Sequence, residues 1–148
     1  MTDVLWQYTL VFLAAATPWL EIIIVIPVAI GVGLSPVPVT IVSFIGNALP
    51  VFLIIALFRR WEQRRGRVRR RWGPRAQRVW DRYGLPGIAL AGPALTGIHL
   101  AAVMALVLRA DRRLTALWMT LSLALWSLVT VLATVAGFEG LRWLFRDH

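Results

Sequence analysis

The sequence predicts an all-α integral membrane protein in which a re-entrant helical hairpin followed by a transmembrane helix occurs twice, in inverted orientation. Three observations predict it. Hydrophobic residues make up 59% of the 148-residue chain and the mean hydropathy is +0.71, well above the norm for water-soluble proteins. Three uncharged stretches, 35–58, 83–108 and 114–138, reach the roughly 20 apolar residues that cross a bilayer core. Charge is segregated: all 16 basic residues are arginine, and most of them lie between Arg59 and Arg82, beside a span.

The elements follow in chain order. Residues 1–58 read as the first hairpin and span, 59–82 as a cytoplasmic arginine-rich linker, 83–138 as the second hairpin and span, and 139–148 as a short surface helix. The start, Met1-Thr2-Asp3, has no basic region of the kind that opens a cleaved leader. Short arginine-rich loops stay cytoplasmic. A second cluster, Arg109-Ala110-Asp111-Arg112-Arg113, reaches the same side as the linker only if 83–108 turns back on itself. Gly92-Pro93-Ala94-Leu95-Thr96-Gly97 offers the turn, because proline removes a helix donor and glycine permits a tight reversal. Ile26-Pro27-Val28-Ala29-Ile30-Gly31 shares its Pro-x-x-x-Gly pattern at an offset of 66 residues, which places both hairpin tips at these prolines and predicts an inverted repeat of the kind many secondary transporters use. Ordinary spans kinked by proline are the plainer alternative.

These residues resemble the small multi-drug export family. Glu21, the break at Pro27 to Gly31, and Ile45-Gly46-Asn47-Ala48-Leu49-Pro50-Val51 are similar to its first half; Arg82-Tyr83-Gly84 to Gly87, followed by Gly92 to Gly97, is similar to its second. The family's usual Arg-Gly after the glutamate is Ile22-Ile23 here. The resemblance implies a reduced relative of the DedA superfamily, with paired re-entrant hairpins. Members of that superfamily move polyprenyl-phosphate carriers or scramble lipids, so it implies a DedA-like transporter or flippase in the bacterial inner membrane.

Between residues 4 and 58 the only charged group is Glu21. A lone ionisable group in a membrane segment costs roughly 2.5–3.5 kcal/mol on insertion scales, so it marks a functional site by default. A carboxyl that is neutral against lipid and ionised against water would couple transport to protons. The plain alternative puts it in interfacial water beside Pro18. Histidine is the side chain whose ordinary pKa lies nearest neutral, so His99 is the candidate to share the proton; a lone histidine is otherwise a structural hydrogen-bonder. Pro27, Gly31, Pro93, Thr96 and Gly97 would shape backbone for a substrate to approach. Thr96 would cap the helix that starts at Gly97, whose amides suit an anion. Asn47 lies four residues from Ser43 on one helix face, as a packing device or a ligand to the first tip. Trp126, mid-span beside Ser127, would face the hairpins or a lipidic substrate. Arg64, Arg65, Arg69, Arg70 and Arg71, interleaved with Trp61, Val68 and Trp72, suggest a surface helix that gathers anionic lipid.

The chain has no cysteine and two histidines, His99 and His148, so neither a metal nor another cofactor is expected. No nucleophile–base pairing suggests an enzyme. Arginines packed against a bilayer argue against nucleic acid. The expected partners are membrane lipids and a second copy of the chain, because two spans and two hairpins are little protein to enclose a pathway. The substrate class stays open between an anionic lipid such as a polyprenyl phosphate and a cationic amphiphile. A structural or assembly role without transport is the remaining alternative.

Overall fold

The computed structural model describes residues 2–65 and 74–146, and every regular element among them is an α-helix: α1 (Thr2–Ala16), α2 (Ile22–Gly31), α3 (Pro36–Arg65), α4 (Pro74–Leu95), α5 (Ile98–Val107) and α6 (Arg112–Arg146). Pro36–Arg64 and Arg112–Gly140 are long and apolar enough to cross a membrane. The packing suits a hydrocarbon solvent. α3 exposes Val37, Ile41, Ile45, Leu49 and Leu53, four residues apart, while it buries Val39, Ser43 and Asn47. Apolar residues outside with small and polar ones inside is the pattern of helices that associate in lipid.

The chain divides into two compact units. One takes the described residues up to Ala48 and from Leu123 onward; the other is Leu49–Ser122. The first unit therefore holds the α1–α2 hairpin and the second the α4–α5 hairpin, each with one portion of α3 and one of α6.

A local backbone repeat relates the two hairpins, with a period of 76 residues: α2 starts at Ile22 and ends at Gly31, and α5 starts at Ile98 and ends at Val107. The buried residues Ile22, Val25, Ile26 and Ala29 recur as Ile98, Ala101, Ala102 and Ala105. The exit from the helix recurs bond for bond. The Val32 amide donates to the Val28 carbonyl at 3.0 Å and that of Leu108 to Met104 at 2.9 Å; Leu34 donates to Ala29 at 3.1 Å and Ala110 to Ala105 at 3.0 Å. Gly33 takes φ +96° and its counterpart Arg109 takes φ +67°. Glycine adopts this left-handed region freely, whereas a side chain there costs about 1–2 kcal/mol.

This register corrects the 66-residue offset read from the two Pro-x-x-x-Gly runs. Pro27 lies inside α2 and Gly31 ends it, so the first tip is not at Pro27. The chain reverses at 17–21 instead. Pro18 disfavours helical backbone at Thr17, and Glu21 is extended at φ −74°, ψ 155°. The second tip falls at Thr96 and Gly97, the latter at φ +83°, three residues after Pro93. α4 continues through Pro93 because the carbonyl this proline strands, that of Ala89, accepts a 2.6 Å hydrogen bond from the Ser122 hydroxyl.

Helix enters the arginine-rich segment 59–82 from both sides: α3 continues to Arg65, and α4 begins at Pro74 and bends at Gly84 (φ +55°, ψ −156°) before its hairpin arm. Residues 139–146 continue α6 without a break rather than forming a separate surface helix. Close approach fixes both hairpins. A Cβ on Gly46 would lie 2.7 Å from the Phe12 carbonyl oxygen, and one on Gly92 would lie 2.5 Å from the Ala101 Cβ.

Candidate functional site

The first unit buries polar groups that its own fold does not satisfy. Ser43, Asn47 and Ser127 are 0%, 0% and 3% exposed. The Ser43 and Ser127 hydroxyls and both polar atoms of the Asn47 amide have no hydrogen-bond partner among the described residues. Leaving such a group unmade costs about 1–3 kcal/mol each, and native interiors satisfy nearly all of them. Pro50 adds to the polarity, because it has no N–H to give to the carbonyl of Gly46 one turn earlier.

The sequence places this polarity at depth. Asn47 is the middle residue of the uncharged part of α3, 36–58, and Ser127 lies beside the middle of 114–138 in α6. Gly46 carries the depth across to the hairpin: its Cβ position sits 3.4 Å from the Ala16 amide nitrogen. α1 ends at Ala16, so the turn 17–21 leaves the α3 surface at the level of Asn47. Glu21 closes that turn as the N-cap of α2, half-buried, with its carbonyl accepting from the Ile24 and Val25 amides and its side chain not capping the helix. Elsewhere in this unit the side chains of Asp3, Glu139 and Arg142 are exposed. The site therefore offers neutral dipoles that donate and accept, together with one carboxylate.

The second unit is built differently. His99 is buried in the first turn of α5, and Pro93 is buried in α4. Thr96 is not a cap: the N-cap is Gly97, without a side-chain hydrogen bond, and the exposed Thr96 hydroxyl donates at 3.5 Å to the Gly97 carbonyl. Glu21, His99 and Trp126 each interact with a neighbouring group. Trp126 is half-buried on α6 in the first unit, Pro27 is half-buried in α2, and Gly31 packs its backbone against Phe138, whose ring lies 3.4 Å from the position of a Cβ.

Of the expected anionic-lipid residues, Arg64 is an exposed residue of α3 and Arg65 is the last residue of that helix. Arg69, Arg70 and Arg71, with Val68 and Trp72, lie outside the described residues. Sequence reasoning puts its weight on Trp126 and passes over Ser127 beside it. The available signal was position: Ser127 is as central in its apolar stretch as Asn47 is in its own. No group of His, Asp or Glu among the described residues can hold a metal.

Residues 21–129 match the family described as putative small multi-drug export protein. The chain belongs to that family. No curated protein and no solved structure matches it. The range shared with the small multi-drug export family opens on Glu21 and closes just after Ser127, so it spans the whole polar set and leaves out all of α1. With α3 and α6 long and apolar enough to span, this family member is a membrane protein.

Proposed function

We propose that the protein exports small cationic amphiphiles, using the buried polar set of the first unit as its substrate site. The observation that carries this reading is the unsatisfied Asn47 amide with Ser43 and Ser127 at mid-span depth. Glu21, which opens α2 beside that level, gives the site its sign and is the coupling group: it carries a proton when the substrate leaves and a counter-charge when the substrate binds. Transport rather than catalysis fits a site of neutral dipoles and one acid. The family's export description supports the direction.

The proposed architecture is DedA-like, with the two repeats inserted from opposite sides of a bacterial cytoplasmic membrane and two copies forming a dimer. Charge supports the inversion. The α2–α3 connection, Val32-Gly33-Leu34-Ser35-Pro36-Val37, is uncharged. Its counterpart of matching backbone, Leu108-Arg109-Ala110-Asp111-Arg112-Arg113, carries three arginines. Equal backbones with unequal arginine content belong on opposite sides by the positive-inside rule.

The test is proton-driven uptake of a permeant phosphonium cation into proteoliposomes. Asn47→Leu should insert and fold yet lose most of the flux, and Glu21→Gln should lose its dependence on the pH gradient. Wild-type flux in Asn47→Leu removes this site from the mechanism. A second reading, flipping of a phosphate-bearing lipid, is favoured by the N-cap of α5, Gly97, which makes no side-chain capping hydrogen bond. Stimulated movement of a polyprenyl phosphate with no response to the cation would select it.

A further inference from the structure

Outside that site, the second unit holds an open groove of about 1620 Å³ at one end of the bundle. Its rim is cationic. Arg59 and Arg60 come from α3, Arg109 from the α5–α6 connection, and Arg112 and Arg113 from the start of α6. Two acids share the rim, and both are engaged. Glu62 forms an ion pair with Arg112. The Asp111 Oδ1 accepts from the Arg113 and Leu114 amides at 2.9 and 3.0 Å, which caps α6. Arg59, Arg60, Arg109 and Arg113 make no ion pair with an acid among the described residues.

The inner wall is apolar: Phe52 and Ile55 from α3 with Leu106 from α5. Arg59 is the first charge after the uncharged part of α3, so Phe52 and Ile55 lie roughly 6–10 Å deeper along the helix at 1.5 Å per residue. The groove thus has a net positive rim, five arginines against two carboxylates, where the uncharged part of α3 ends, and an apolar wall deeper along the helix. Its volume exceeds the roughly 300–1,000 Å³ of an ordinary small-molecule pocket.

A separate observation also points to a ligand. Arg109 occupies a left-handed backbone position, φ +67°, where the first repeat uses Gly33 at φ +96°. The connection can be built with glycine, so the backbone does not call for arginine there. Its side chain lines the groove. We infer that this groove is a specific site for the headgroup of an anionic phospholipid from the adjoining leaflet, with Arg59, Arg60, Arg109 and Arg113 around the phosphate and the acyl chain against Phe52, Ile55 and Leu106. It lies wholly within the second unit and is independent of the export site, so Asn47→Leu leaves it intact.

The test is lipid binding to the full-length protein, purified and delipidated in detergent. Native mass spectrometry would count bound phosphatidylglycerol and phosphatidylcholine, with inorganic phosphate as competitor. Phosphatidylglycerol should bind at least about ten-fold tighter than phosphatidylcholine. Arg109→Gly and Arg113→Gln should each weaken it about five-fold, as expected for one basic residue at a membrane surface. Arg142→Gln, exposed in the other unit, should leave it unchanged. Should Arg109→Gly fail to fold, Arg59→Gln and Arg113→Gln, at exposed helical positions, carry the test. Equal binding of the two lipids, or wild-type affinity in the Arg59→Gln/Arg113→Gln double variant, overturns the inference. Full displacement of the lipid by millimolar phosphate also overturns it, because the site would then serve a soluble anion.

Discussion

Where the first repeat buries Asn47, the second buries Leu123 76 residues later, and where the first buries Ser43 the second buries Met119. The connections that lead into these helices match hydrogen bond for hydrogen bond, from Val32 to Val39 and from Leu108 to Thr115, and the second repeat accepts an apolar side chain at each position. Asn47 and Ser43 are therefore not needed to build the helix or to pack it. Ser122 in the second repeat makes the contrast sharper. It is buried and polar as well, but its hydroxyl is used inside the protein, on the carbonyl that Pro93 strands. The Ser122 hydroxyl thus repairs backbone, whereas the Ser43 hydroxyl and the Asn47 amide have no hydrogen-bond partner among the described residues. The tips differ in the same sense: the first has five residues between its helices and the second has two, and the longer one carries the carboxylate.

The largest expected effect comes from copying the second repeat into the first. Asn47→Leu installs the residue that stands at 123. Removing an unsatisfied buried amide should raise stability in detergent by about 1–3 kcal/mol, while export is lost. A variant that loses both stability and export would show that Asn47 is structural and would collapse the comparison. The combination of gain and loss is one that a packing role does not produce.

Next in size are the glycines at which helices touch. Gly46→Ala drives a Cβ into the Phe12 carbonyl oxygen and Gly92→Ala drives one into the Ala101 Cβ. Overpacking of this kind costs about 1–3 kcal/mol. Gly46→Ala should be the worse of the two, because its obstacle is backbone. Thermal unfolding of the two variants, side by side with Gly140→Ala where nothing lies within 4 Å, measures it.

Much of this architecture is legible in the sequence, and the missing part has a physical cause. The apolar stretches at 35–58 and 114–138 give α3 and α6, because span length follows from bilayer thickness. The arginine at 109 and the glycine at 97 foretell a chain that turns back near both. The register of the repeat is hidden, because proline is a breaker only when its stranded carbonyl goes unmet. Pro93 is met by a hydroxyl 29 residues away, at Ser122, and no local pattern announces that. Pro27 is carried inside α2, and the true break is set by Pro18 and the extended Glu21. Asn47 and Glu21 stand out as candidates from sequence alone because polar residues are rare in such stretches. Ser127 does not, because serine is common in spans and only burial without a partner separates it from its neighbours.

A smaller effect sharpens the pairing of Gly33 with Arg109. Gly33→Ala meets nothing within 4 Å, so its whole cost is the left-handed backbone, about 1–2 kcal/mol. Arg109→Gly should return a similar amount, reduced by roughly 0.5–1 kcal/mol for the freedom glycine gains in the unfolded chain. Opposite signs in the two unfolding curves support the 76-residue register; equal signs break it.

The smallest effect belongs to the ion pair at the groove. Arg112 and Glu62 keep 40% and 23% of their side chains exposed, so screening by water and salt limits the pair to about 0.2–1 kcal/mol. Its counterpart in the first repeat is Pro36 opposite no charge, so the repeat does not require it. Glu62→Gln should thus change stability little, and less in 1 M salt than at low ionic strength. Its effect should appear instead in the groove, where it releases Arg112 and removes one of the two acids on the rim. Phosphatidylglycerol should bind Glu62→Gln more tightly than wild type. A loss of binding would mean that the Arg112–Glu62 pair positions the rim, and that the four other arginines do not suffice to hold the headgroup.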